Sequence, residues 1–547
     1  MKKALLVLMV LVMAMALLAG CGGGTTDEGT TPDEGTATTG GEKIVRISVS
    51  GTPVLDPYAS VSYSSTQATI NLYEALVFPD GENVKGLLAD SWEENADGTE
   101  YTFTLKQGVK FHSGNEVKAS DVVFSVNRIL TMGEGFAYLY NGVIKDVTAV
   151  DDYTVKFTLD HSFGPFVASL IRLAIMDEKT VMANIADGAY GEFGDYGRNW
   201  LLTNDAGSGP YMAKELVQQG YLYAVKFDGW HGTWEADAPD SFKFIDNTEA
   251  TTIRTMMANK ELEITDPWQS TENLNAMSKL DGVKIAAYSN KLTQYMHFNT
   301  KLAPTDDVNY RKALSCLIDY DMLINNIFVG STKCAGPVNA GTAGHVQTTQ
   351  YTYDLEKAKE YLAQSKYASN YQDYPIEMLV NSDVQDLEKV ALAFQAAAQQ
   401  VGIQVEITKA PWITIQERIS TPESTPNLVS INAGPNYNEA GATLEATSHS
   451  KTTGTYENVD WLLDKDLDAQ IEDALATPDQ TERFQKYADL QNYIVDELCP
   501  AAYLADLAER VAYQTGYFEW PAGENGMSGL MGYHYYVPDM KIFPDKK

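Results

Sequence analysis

Cysteine and histidine are scarce: four and seven residues in a chain of 547. Neither set falls into a metal-holding pattern. No H-E-x-x-H or C-x-x-C occurs and no two histidines lie four apart, which removes the familiar zinc spacings. Asp464-Lys465-Asp466-Leu467-Asp468 begins like a calcium loop. Its sixth position is Ala469 and its twelfth Leu475, where such a loop needs Gly and a bidentate carboxylate. The run reads instead as charge on a helix face. A phosphate-gripping Walker loop and a dinucleotide fingerprint are also missing. Gly207-Ser208-Gly209 lacks the G-x-S-x-G spacing of a nucleophile elbow and runs into Pro210-Tyr211 rather than a helix. No constellation for a hydrolase therefore stands out. Positive charge is short too: 40 Lys and Arg against 74 Asp and Glu leave −34. With no basic block to offset it, a nucleic-acid partner is excluded.

What is present begins at the N-terminus. Lys2-Lys3 precedes the uniformly apolar stretch Ala4 to Ala19, too short for a spanning helix of about 20 residues and suited to a signal h-region. Leu18-Ala19-Gly20-Cys21 resembles a bacterial lipobox. That resemblance implies cleavage before Cys21 and a diacylglycerol on its sulfur, so residues 1–20 are expected to be a lipoprotein signal peptide. An uncleaved anchor helix is the competing reading, and both put the body outside the cytoplasmic membrane. Residues 21–42 carry the lipidated Cys and a Gly, Thr, Asp and Glu segment whose apolar side chains are limited to Pro32 and Ala37. It cannot form a core and reads as a flexible linker. Cys316, Cys334 and Cys499 remain, an odd number, with a 316–334 disulfide possible in an oxidising compartment.

A chain of this length is too long for one core, and two or three domains are expected. Lys43 to Ser50 alternates as a first strand. Trp92, the Asp97-Gly98 turn and Thr99–Leu105 predict a hairpin with Tyr101, Phe103 and Leu105 on the buried face. Ser120 is placed to cap a helix with Val123, Val126 and Leu130 inside. Thr293 to Thr300 reads as a strand and Asn309 to Phe328 as a helix. Ile376–Asn381, Asp383–Gln400 and Ile403–Thr408 form a β-α-β unit, which by itself implies a parallel sheet. Thr477-Pro478-Asp479-Gln480 reads as a capping box with Pro at the first helical position. Ala501–Leu504 and Val511–Tyr513 read as return strands, followed by an aromatic tail packed back on the first lobe.

Leu87–Leu130 holds L-A-x-S-W, D-G-x-x-Y-T-F-x-L, G-V-K-F-H-x-G and A-x-D-V-x-x-S. Later come Gly207-Ser208-Gly209-Pro210-Tyr211, the R-x-A-L pattern from Arg311 to Asp319, and Tyr353-Asp354-Leu355-Glu356-Lys357-Ala358-Lys359. Together these resemble the extracytoplasmic solute-binding proteins, family 5, of ABC importers for peptides, nickel and related solutes. One departure is Glu116, where the family usually has Pro. The resemblance implies an α/β, periplasmic-binding-protein type II-like fold: two lobes joined by a hinge, with an extra α+β domain inserted in the first lobe. Lobe I is expected in 43–60, 201–294 and 509–547, the inserted domain in 61–200, and lobe II in 295–508. The implied partners are a small solute, the membrane subunits of an ABC permease and, through the lipid, the membrane. No cofactor is implied.

Ligand-binding candidates follow from two sources. The resemblance places residues just past the first strand on the cleft, nominating Gly51 and Thr52. Ligands in α/β lobes collect at strand carboxyl ends, nominating Trp268 after Leu262–Thr265. Trp412, after the β-α-β unit, is a candidate by the resemblance. In peptide-binding relatives the segment past the Trp412-type residue carries an Asp that pairs with the peptide α-ammonium. The matching region here supplies Asn432, Gly434, Asn436, Tyr437 and Glu439, with Gly434-Pro435-Asn436 where that Asp is expected. Glu439 is the nearest carboxylate. An oligopeptide is the leading solute; an oligosaccharide held by aromatic faces and amides is the alternative. A secreted hydrolase and a surface adhesin are kept as readings of other classes.

Overall fold

The computed structural model describes residues 41–547 except 82, 335, 526–529 and 531. The signal peptide, Cys21 and most of the linker lie outside the described residues. Ile44–Val49 pairs parallel with Ser241–Asp246, and Tyr221–Lys226 and Tyr211–Val217 complete a four-stranded sheet. The alternation seen in the sequence is the burial pattern: Val45 and Ile47 are inside, and Phe242, Phe244 and Leu222 meet them.

A second four-stranded sheet holds the expected hairpin. Ala89–Glu94 and Glu100–Leu105 pair with Trp92 opposite Phe103, and Thr154–Leu159 and Ile144–Asp151 extend them. Gly98 sits at φ +64° in the turn. The helix that follows starts at Ala119 rather than after Ser120. Asp121 reaches back to accept the Lys118 backbone N–H at 2.8 Å. His112 orders the adjoining loop by bonding Asp205 and the Gly209 carbonyl.

The five-stranded sheet of the second lobe runs Val405–Ala410, Ile376–Asn381, Leu428–Ala433, Val283–Phe298, Ala501–Gln514. The first three are parallel, built around the β-α-β unit with helix Gln385–Gln400. The last two are the longest strands among the described residues, with 16 and 14 residues, an extent of roughly 50 Å at about 3.3 Å per residue for the longer. Two separate return strands were expected after residue 500; one continuous strand is found. Val283–Phe298 and Ala501–Gln514 pair antiparallel, with register breaks between Ser289 and Thr293 and between Gln294 and Tyr295. Ile264 bridges Ile47 of the first sheet and Tyr513 of the long strand. These two strands therefore run from one lobe into the other.

Two helical expectations are corrected. Asn309–Phe328 is not continuous: Val308–Ser315 ends, Asp319 accepts the Met322 N–H, and a new turn starts at Tyr320. The later helix is Gln480–Tyr493, capped by Asp479 on the Glu482 N–H rather than by Thr477. In each case an Asp carboxylate takes an otherwise orphan helix donor. Cys316, Cys334 and Cys499 are buried free thiols, so the possible 316–334 disulfide is absent. The aromatic tail packs on helix Tyr63–Leu72. There the Asn71 amide donates to the Tyr535 carbonyl and its oxygen accepts the Val537 N–H.

Candidate functional site

Three parallel strands of the second lobe end together: Ile376–Asn381, Val405–Ala410 and Leu428–Ala433. The residues at and just beyond these ends line a cavity of about 410 Å³, namely Asn381 and Asp383, Trp412, and Asn432 to Asn436. The first lobe contributes Ser50 at the end of its first strand, the 59–63 loop with Tyr63, and Trp268. Leu292, on a long strand, lies between the lobes' contributions. Of the sequence candidates, Trp268, Trp412, Asn432, Gly434 and Asn436 thus come together on one cavity.

Trp268 is held from behind. Asp266 is fully buried and accepts the Trp268 N–H at 3.0 Å and the Gln269 amide at 2.7 Å. Burial pushes its carboxyl up to about 6. In front, Tyr63 meets Trp268 edge-on with centroids 5.9 Å apart. The Tyr63 hydroxyl donates to Glu509 at 2.8 Å. Burial alone would raise the Glu509 carboxyl; His534 and the Tyr63 and Tyr288 hydroxyls outweigh it and hold it below the ordinary value. On the other lobe Trp412 packs edge-on against Tyr456 at 5.8 Å. Gly434 is needed by close approach, since a Cβ there would lie 2.9 Å from the Lys291 carbonyl oxygen and from Leu292 Cδ2.

Asn436 ties distant segments together at one end of the cavity. Its side-chain amide donates to Glu457 at 3.2 Å and to the Tyr138 hydroxyl, and its backbone carbonyl accepts from Arg172 Nε at 2.9 Å. Glu457 is buried, and desolvation pushes it up to about 7 against those hydrogen bonds.

Four candidates lie elsewhere. Gly51 and Thr52 are off the cavity wall: the Gly51 N–H and the Thr52 hydroxyl both donate to Asp246, at 2.9 and 2.8 Å, closing a turn that Gly51 enters at φ +83°. Ser50 is the wall residue of that segment. Tyr437 is fully buried in the core that includes Leu475 and Tyr487. Glu439 is bonded by Arg483 through Nε and Nη2 at 2.5 and 3.3 Å. A carboxylate already paired inside the fold is not available to a solute ammonium, so that expectation is withdrawn. Asn381 and Asp383 were missed although the strand-end rule that nominated Trp268 applies to them equally. Tyr63 and Tyr456 carry no sequence signal separating them from the other 30 tyrosines (32 in all).

The family model for bacterial extracellular solute-binding proteins, family 5 Middle, matches residues 83–455. The chain belongs to that family. It is similar to a probable D,D-dipeptide-binding periplasmic protein of Escherichia coli K12, 29% identical over 82% of this chain and 85% of the relative. A dipeptide-binding protein of the same strain is 26% identical over 80% of this chain and 84% of its own length. The fold matches the periplasmic binding protein DppA of Helicobacter pylori in complex with the peptide STSA, at TM-score 0.79 and 22% identity, covering 91% of this chain and 98% of that one. The two-lobed periplasmic-binding-protein type II architecture is thereby established. These homologues are peptide-binding, extracytoplasmic solute-binding proteins of ABC systems rather than enzymes.

Proposed function

We propose that this protein is a lipid-anchored receptor that captures an oligopeptide between its lobes and delivers it to an ABC permease. The observation that carries the reading is the cavity of about 410 Å³ built from strand ends of one lobe and loops of the other. It lies within the ~300–1,000 Å³ of most small-molecule sites and offers aromatic faces and amides to a solute. The moving bodies are those assigned from sequence: 43–60, 201–294 and 509–547 for the first lobe, 61–200 inserted in it, and 295–508 for the second. Closure turns about the two long strands. The relatives' names support a peptide-like solute.

The anchor is proposed at Cys21. A Cys21→Ser variant is expected to leave the membrane fraction for the soluble one, read by fractionation; a variant that still sediments with lipid overturns the anchor. The solute is tested by native mass spectrometry of the purified protein, followed by calorimetry with peptides. Recovered peptide mass supports the reading. An oligosaccharide is kept as a second reading on one observation: no Asp occupies the 434–436 segment and Glu439 is consumed by Arg483, so the ammonium receptor expected there is missing.

A further inference from the structure

A side pocket of about 80 Å³ adjoins the main cavity and shares Trp268, Leu292, Val384 and Asn432 with it. Its remaining walls combine apolar Leu274, Ile327, Phe328 and Leu507 with Gln269, Gln294 and Ser331 and the carboxylates of Asp386 and Glu509. Arg510, on the long strand Ala501–Gln514, also lines it. Among the described residues lining the two cavities, Arg510 is the one Lys, Arg or His.

The surroundings of this guanidinium are unusual for a chain with 34 excess negative charges. Nη2 donates to the Thr271 hydroxyl at 2.6 Å, and that hydroxyl donates onward to the Ile327 carbonyl. The neighbouring carboxylates are engaged elsewhere. Lys389 holds Glu272 at 2.8 Å and Asp386 at 2.9 Å. Glu509, the preceding residue, is held by Tyr63, Tyr288 and His534. Asp383 is on the main cavity rather than in this pocket. A guanidinium has five N–H donors arranged to match a carboxylate, and Arg510 uses one on Thr271. Burial lowers its pKa from the ordinary value, outweighing the nearby charges of Asp386 and Glu272, which act to raise it.

We propose that the side pocket is a carboxylate subsite in which Arg510 receives an anionic end of the bound solute, either the terminal carboxylate of a peptide or an acidic side chain. The apolar side chains of its wall take the carbon skeleton next to that group, and Thr271 fixes the guanidinium plane. This rests on the solute-binding reading of the cleft and narrows it to solutes with an anionic end.

The test compares Ala-Phe-Ala with its C-terminal amide by calorimetry, on the wild-type protein, Arg510→Gln and Arg510→Lys. Melting curves establish that each variant is folded, and the acid-to-amide ratio is internal to each protein. Wild type is expected to favour the acid by at least about tenfold, the scale of a charge-assisted pair. R510Q should bring the ratio close to one, and R510K should fall between. Ala-Phe-Glu amide separates the sources: binding restored to the acid's level assigns the pocket to an acidic side chain, and weak binding assigns it to the chain terminus. A ratio near one in wild type, or one unchanged in R510Q, overturns the subsite. If no peptide binds wild type, the peptide reading fails and succinate decides the subsite by thermal shift. Stabilisation of wild type that is lost in R510Q upholds it, and no stabilisation of wild type overturns it.

Discussion

At the scale of single residues, the cavity wall carries aromatic rings that meet in edge-on pairs. Trp268 meets Tyr63 and Trp412 meets Tyr456, which restrains each ring before any solute arrives. Trp268→Ala and Trp412→Ala are each expected to weaken solute binding by roughly 1–3 kcal/mol, measured by titration calorimetry, with unfolding midpoints little changed. Unaltered affinity would make them packing residues. Asp56 shows the opposite economy. The sequence marks it as a turn residue, and its Oδ1 does accept the Tyr58 N–H. Folding adds what spacing cannot show: Arg128, 72 residues away, donates to both carboxylate oxygens at 2.8 and 2.5 Å, with both side chains fully buried. Asp56→Ala would strand a buried guanidinium and should cost about 3–5 kcal/mol in denaturant unfolding.

Buried carboxyls also set a pH dependence. Burial pushes Glu457, Asp460 and Asp121 up to about 7. The folded chain then keeps protons that the unfolded chain releases at its lower pKa. Their contribution is full below the unfolded value and is lost as pH rises through about 7. Glu457→Gln keeps an acceptor for Tyr138 and Asn436 but cannot ionise. Its stability relative to wild type is expected to be higher at pH 8 than at pH 5, read from melting midpoints. An equal difference at both pH values would remove Glu457 from that slope.

Among the elements, local signals were legible wherever neighbours in sequence suffice. The hairpin around Asp97-Gly98 and the β-α-β unit rest on alternation, turn chemistry and apolar spacing, all short-range. Helix ends were less so. Asp121 and Asp319 cap through their own carboxylates, and the choice between Ser120 and Asp121, or Thr477 and Asp479, depends on which side chain the packed chain leaves free. The Gly207-Ser208-Gly209 turn was read as punctuation, and its reason is a close approach: added Cβ atoms would meet Leu72, at 1.9 Å from its carbonyl oxygen for Gly207 and 2.5 Å from its carbonyl carbon for Gly209. The Gly209 N–H donates to that same carbonyl oxygen. Gly207→Ala is expected to destabilise by about 1–3 kcal/mol or more through overpacking, measurable as a fall in denaturant midpoint with the slope unchanged.

For the whole molecule, two long strands with broken register form the joint between the lobes, and Lys291 takes φ +62° at that break. A hinge of this kind predicts that solute binding reduces the radius of gyration in solution scattering. No change on saturation would mean that the cleft does not close. An exposed pair across the lobes, Lys389 with Glu272, is worth little by itself, on the order of 0–1 kcal/mol, so Lys389→Met should leave unfolding nearly unchanged.

The family and the two-lobed α/β class were written in the sequence, because the Leu87–Leu130 motifs and the β-α-β periodicity depend on residues close together in the chain. Trp412 and the Asn432–Asn436 segment were legible for a different reason, the resemblance of this region to the solute-binding segment of peptide-binding relatives. What the tertiary structure alone decided is which polar groups are spent inside the fold and which stay open. Glu439 is taken by Arg483, 44 residues away, and Thr52 by Asp246, 194 away, while the Arg510 guanidinium donates to Thr271 and reaches the pocket. Charge pairing acts through space between residues that local pattern cannot relate, and it separates the carboxylates and cations of the scaffold from those left for a solute.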